Sequence, residues 1–172
     1  MKLNKLMKAL AIVVPMAVLS ACSSTGNTGS DSDMTGAGQD SSVTPLKQEQ
    51  EMFAQNVENG SLTDEESMVW FAFNDAVVDP SYNKMLELNA NYLTNHPDAK
   101  IVIQGNTDQR GTPEYNIALG EKRAQAVADY LEALGVNASQ ISTVSYGEEK
   151  PLVQGHTDAD YAKNRRAKIV YN

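Results

Sequence analysis

The sequence predicts a two-layer α/β (α+β) sandwich, with helices packed on one face of a mixed four-stranded sheet. Three observations carry this. Four short apolar runs, at 68–73, 100–104, 141–146 and 167–171, are rich in β-branched and aromatic residues and have strand character. Two longer segments between them repeat apolar residues at helical spacing. The resulting order, β-α-β-α-β-β, leaves two apolar helix stripes that must be buried against one sheet.

Ahead of these elements lies a leader. Lys2, Lys5 and Lys8 form a basic start, Ala9 to Leu19 is an apolar run interrupted by Pro15, and Leu19-Ser20-Ala21-Cys22 follows. The run is shorter than the ~20 residues that cross a bilayer, so residues 1–21 read as a signal peptide rather than a span or a buried helix. Cys22 is the only cysteine, which excludes an intrachain disulfide. Leu-Ser-Ala-Cys resembles the bacterial lipobox, in which small residues let the protease approach the backbone. The resemblance implies cleavage before Cys22, S-diacylglycerol on its thiol and an acyl chain on its new amine. Each buried methylene contributes about 0.8 kcal/mol, so several chains anchor a small protein firmly. Ser23 follows, where lipoproteins kept at the inner membrane commonly carry Asp; Ser implies the outer membrane, with the domain in the periplasm.

Removing residues 1–21 takes away three lysines and no acid, and lowers the formal net charge from −8 to −11. So acidic a chain argues against nucleic acid and against an anionic membrane surface as partners. Residues 22–60 read as the lipidated Cys, a tether and a possible short helix. Positions 23–44 are almost all Ser, Gly, Thr, Asp and Asn, with no apolar period from which to build a core. This stretch reaches about 75 Å extended and about 25 Å relaxed. Asp31-Ser32-Asp33 is not a calcium loop, because its twelfth position, Ser42, is not Glu. Leu46, Phe53 and Val57 suggest a short amphipathic helix over 45–59.

The folded domain is expected over 61–172. Met68 to Phe73 gives the first strand. Asp79-Pro80 opens a helix, with Asp as N-cap and Pro at the first position, and Tyr82, Leu86, Ala90 and Leu93 mark its apolar face. His96-Pro97 closes it. Lys100 to Gln104 is the central strand, and 105–111 a loop. Thr112-Pro113-Glu114 starts the second helix with a cap, a Pro and an acid suited to the dipole. Leu119, Ala126, Val127, Tyr130, Leu131 and Leu134 form its expected core stripe, and Gly135 ends it.

The chemistry centres on Gly105-Asn106-Thr107-Asp108-Gln109-Arg110-Gly111. Asp108 stands where the central strand runs out, beside the N-terminus of the second helix. Positions 116, 119, 120 and 123 share one face of that helix, and helical side chains lean toward the N-terminus. The Arg123 guanidinium can therefore return toward Asp108, passing Asn116. Arg offers a fork for a carboxylate and Asp offers acceptors for an ammonium, so an amino-acid centre is a natural guest. An Asp108–Arg123 ion pair that simply closes the loop on its helix fits the spacing equally well.

Residues 105–124, Val144-Ser145-Tyr146-Gly147-Glu148-Glu149-Lys150-Pro151 and Asn164-Arg165-Arg166-Ala167 resemble the OmpA-like peptidoglycan-binding domain family. The resemblance runs from about residue 68 to the end and agrees with the sandwich. It implies non-covalent binding of the diaminopimelate of peptidoglycan stem peptides. Asp108 then takes the ammonium, Arg123 the carboxylate, and Leu119 packs on the aliphatic part. Phe73 and Asn74 supply backbone contacts. Asn164 and Arg165 brace the site or hold the last loop to the sheet. Position 74 is Asn where relatives usually carry Asp, which lowers affinity if a carboxylate is needed there. Position 106 is Asn where many of these domains have His. The lipoprotein members of the family also bind the periplasmic β-propeller TolB and work with the other Tol proteins. TolB is thus an implied second partner, at the first-strand loop and the Asp108 loop, in competition with the wall.

No cofactor beyond the lipid on Cys22 is expected, and no metal site or catalytic residue. The two histidines, His96 and His156, lack ligand spacing, and no Gly-x-Ser-x-Gly elbow occurs. The alternatives are an adaptor that binds mainly TolB and a peptidoglycan hydrolase.

Overall fold

A computed structural model of the chain describes residues 44–172, all within one compact unit. The expected signal peptide, Cys22 and the tether up to residue 43 lie outside the described residues. The elements are α1 (Pro45–Glu58), α2 (Asp64–Ser67), β1 (Met68–Trp70), a 3-10 turn (Pro80–Tyr82), α3 (Asn83–Asn95), β2 (Ile101–Asn106), α4 (Pro113–Ala133), a second 3-10 turn (Ala138–Gln140), β3 (Ile141–Gly147), α5 (Asp158–Asn164) and β4 (Arg166–Tyr171).

The four strands form one sheet in the order β1-β4-β2-β3. β4 is antiparallel to both β1 and β2, while β2 and β3 are parallel. The sheet is therefore mixed, and α4 makes the crossover that parallel neighbours require. Pairing sets Val69 opposite Ala167 and Ile103 opposite Ile169. These face Leu86, Ala90 and Leu93 of α3 and Ala124, Val127, Ala128 and Leu131 of α4 in one core. Both long helices thus cover the same face of the sheet.

Local chemistry explains most boundaries. The Asp79 side chain accepts from the Ser81 amide at 2.8 Å. The turn it caps is 3-10, and the α-helix starts only at Asn83. The Thr112 hydroxyl accepts from the Tyr115 amide, with Pro113 next in line. Gly135 (φ +97°) closes α4, as its own amide reaches Glu132 O and that of Val136 reaches Leu131 O at 3.1 Å.

Several elements differ from expectation. β1 stops at Trp70 rather than 73: the Phe71 amide still reaches Arg165 O at 2.9 Å, but the chain then turns through Asn74 at φ 56°. The buried stripe of α4 uses Ala124 and Ala128, whereas Leu134 is 39% exposed and Ala126 only half-buried. The cause is close approach: a Cβ on Gly105 of β2 would lie 1.8 Å from the Gly120 carbonyl oxygen. A helix this near the sheet has room for small side chains. α5 was not expected. A capping box starts it, the Thr157 hydroxyl accepting from the Asp160 amide and the Asp160 carboxylate from the Thr157 amide. The expected helix over 45–59 forms as α1, with Phe53 2% exposed and edge-on to Tyr92, so the folded unit begins ahead of residue 61. Among the described residues, no helix is long and apolar enough to cross a membrane.

Candidate functional site

The site forms where β2 ends. The pairing of β2 with β3 shifts between Gly105 and Asn106, and the Thr107 amide donates to Gly147 O at 2.8 Å. This irregularity turns Thr107 and Asp108 away from the ladder and beneath the loop that leads into α4. Asn106, Thr107 and Asp108 are all buried.

The Asp108 carboxylate is heavily engaged. Its Oδ1 accepts from the Arg110 amide at 3.0 Å and from Arg110 Nε at 3.2 Å. Its Oδ2 accepts from Arg110 Nη2 at 2.7 Å and from Arg165 Nη1 at 3.3 Å. Burial acts to raise its pKa, but the hydrogen bonds and charge of Arg110, with the bond from Arg165, outweigh burial together, so the pKa lies below the ordinary value. Asp108 is an anion at neutral pH.

Arg123 is fully buried and does not pair with Asp108. Its Nε donates to Asp75 O at 2.8 Å, Nη1 to Asn106 O at 2.8 Å and Nη2 to Ala72 O at 3.2 Å. The guanidinium ties the loop after β1 to the end of β2. The ion pair that spacing allowed is replaced by pairs from Arg110 and Arg165, because the backbone carbonyls of 72 and 75 reach Arg123 first. Burial, with the charge of Arg165, pushes its pKa down to about 10, so it stays a cation at pH 7. Three of its five N–H groups are bonded to backbone carbonyls, and the residue also lines the site's cavity.

The fold brings all seven sequence-derived binding candidates to one cavity of about 240 Å³: Phe73, Asn74, Asp108, Asn116, Leu119, Arg123 and Arg165. Phe73 and Asn74 lie beyond the end of β1, and Asn74 accepts a hydrogen bond from the Tyr115 hydroxyl. Asn116 donates its amide to Glu148. Leu119 forms an apolar wall. Arg165 donates from Nε to Phe71 O at 3.0 Å as well as to Asp108, so it braces the site from within. Asn164 instead holds the last loop, accepting from the amides of Leu152 and Val153 and donating to Val153 O.

Sequence reasoning missed Arg110 and Tyr161. Arg110 packs between the rings of Phe73 and Tyr161, its guanidinium carbon 4.3 and 4.5 Å from their centroids. Tyr161 rides on α5, which the Thr157-x-x-Asp160 box could have signalled. Arg110 sits two residues after Asp108, close enough for a local bidentate contact, which was the available clue. The cavity thus combines three guanidiniums with one carboxylate inside an acidic chain. That balance favours an anionic group in the cavity, while the Asp108 carboxylate is paired with Arg110 and Arg165.

The OmpA family matches residues 70–165. The chain is 44% identical to the peptidoglycan-associated lipoprotein of Pasteurella multocida over 169 residues, covering 98% of this chain and 100% of that protein. It is 42% identical to the peptidoglycan-associated lipoprotein of Haemophilus influenzae, with the same coverage. The crystal structure of the peptidoglycan-associated lipoprotein from Burkholderia pseudomallei superposes with a TM-score of 0.61 at 50% identity, covering 62% of this chain and 90% of that one.

Proposed function

The chain belongs to the OmpA family, among its peptidoglycan-associated lipoproteins, and from that membership we propose that it grips the cell wall non-covalently through the diaminopimelate of peptidoglycan stem peptides. The observation that supports this reading most is the shared cavity, which Asp108, Arg123 and Leu119 line together. Asp108 takes the ammonium, Arg123 the carboxylate, and Leu119 packs against the methylenes between them. Asn74 contributes backbone and amide groups rather than a second carboxylate. The lipid on Cys22 anchors the chain in the outer membrane, and the tether lets the periplasmic domain reach the wall. In that position it links outer membrane to peptidoglycan within the Tol–Pal system, with TolB as competing partner, and supports envelope integrity and constriction at division. Its role is binding rather than catalysis.

Calorimetry with stem peptides bearing diaminopimelate or lysine tests the reading. The expected result is binding of the diaminopimelate form, and a loss of about 2–5 kcal/mol in Asp108→Ala, the usual cost of removing one partner from a desolvated charge contact. Undiminished binding by Asp108→Ala would leave an adaptor for TolB as the better account. Release of soluble fragments from purified sacculi would make the protein a hydrolase.

A further inference from the structure

We infer that Arg110 is a competitor built into the site: its guanidinium holds the Asp108 carboxylate in the place the ligand's ammonium must take, and so sets the affinity of the cavity for that group. The inference rests on the reading that Asp108 receives an ammonium. A carboxylate offers about four lone-pair positions. At Asp108 all four are used, by the amide, Nε and Nη2 of Arg110 and by Nη1 of Arg165. With Asp108 buried, an arriving ammonium finds no open acceptor and must replace a donor already present.

The structure indicates which donor yields. Arg165 is 13% exposed along its side chain and is held a second time at Phe71 O. The Arg110 amide belongs to the turn itself. The Arg110 side chain is 35% exposed, and two of its other partners, Phe73 and Asp158, are exposed as well. Phe73 is 61% exposed, and Asp158, 3.7 Å from Nη1, has a side chain 99% exposed. The two rings and Asp158 give the guanidinium somewhere to rest once it leaves Asp108. Arg110 thus has two carboxylates within reach, one inside the cavity and one outside it. While it sits on the inner one, the apparent affinity is scaled down to the fraction of molecules in which Asp108 is uncapped.

The test uses the full-length lipidated protein in detergent micelles, with the tripeptide L-Ala-γ-D-Glu-meso-diaminopimelate as probe. Calorimetry on Arg110→Gln is expected to give binding about five- to tenfold tighter than wild type, because the cap is gone while Asp108 remains. In wild type, the Arg110 Nε–H resonance is expected to move on saturation with peptide as its bond to Asp108 breaks. Unchanged or weaker binding by Arg110→Gln, or a resonance that stays put at saturation, overturns the proposal while wall binding through Asp108 stands. If wild type ignores the peptide, or Asp108→Ala binds it as well as wild type does, both readings fall together.

Discussion

Asp108 and Arg123 are both buried ions, and the structure gives them different duties. Asp108 has a depressed pKa, so it favours the folded state above the ordinary carboxyl value of 3.8, and that contribution fades as pH falls through the folded-state value. Denaturant titrations of wild type and Asp108→Asn should therefore separate at pH 7 and converge below about pH 4. Arg123 carries a structural load that its position on the helix face did not reveal. Arg123→Ala removes a donor from each of the carbonyls of Ala72, Asp75 and Asn106. It should lower unfolding free energy by about 2–4 kcal/mol in addition to weakening stem-peptide binding. Arg123→Lys should rescue little of either, because an ammonium cannot span three carbonyls in a plane.

At the scale of elements, the contact between β2 and α4 decides where the site lies. Gly105 and Gly120 meet backbone to backbone, and a Cβ on Gly120 would lie 2.2 Å from Ser145 Oγ and 3.1 Å from Gly105 O. This closeness places the first turns of α4, with Asn116, Leu119 and Arg123, over the end of β2 that carries Asp108. Gly105→Ala should force the helix away from the sheet, cost at least about 2 kcal/mol in denaturant unfolding, and weaken peptide binding although no liganding group has changed. Gly120→Ala improves helix propensity by about 1 kcal/mol, a gain that should be offset because the new Cβ displaces Ser145 Oγ from its bonds to Ile117 O and the Gly147 amide. α1 adds a further layer by burying Phe53 against Tyr92.

At the scale of the whole molecule, a positively lined cavity sits in a chain whose formal net charge is −8. The proposed function puts anchor and grip in separate parts of the chain, at Cys22 and at Asp108. Cys22→Ser should therefore leave the membrane fraction yet still sediment with purified sacculi, whereas Asp108→Ala should remain with membranes and lose the sacculi. Fractionation of the two variants side by side checks whether the two functions separate in this way.

Caps, strand runs and helix periods were legible in the residues because they depend on neighbours a few positions away. Thr112-Pro113, Asp79-Pro80 and Gly135 mark their turns by local hydrogen bonds alone, and the β-branched run before Gly105 marks the central strand in the same way. The same locality brought Asp108 and Arg123 into view as a pair of opposite charges at one end of the fold. Their actual partners were decided by tertiary structure. Asp108 is held by Arg165 from 57 positions away, and Arg123 by carbonyls 48 and 51 positions earlier. Which ion meets which depends on how closely a helix lies on a sheet and where a distant loop turns back. Those distances are set by packing across the whole core, which no spacing along the chain records.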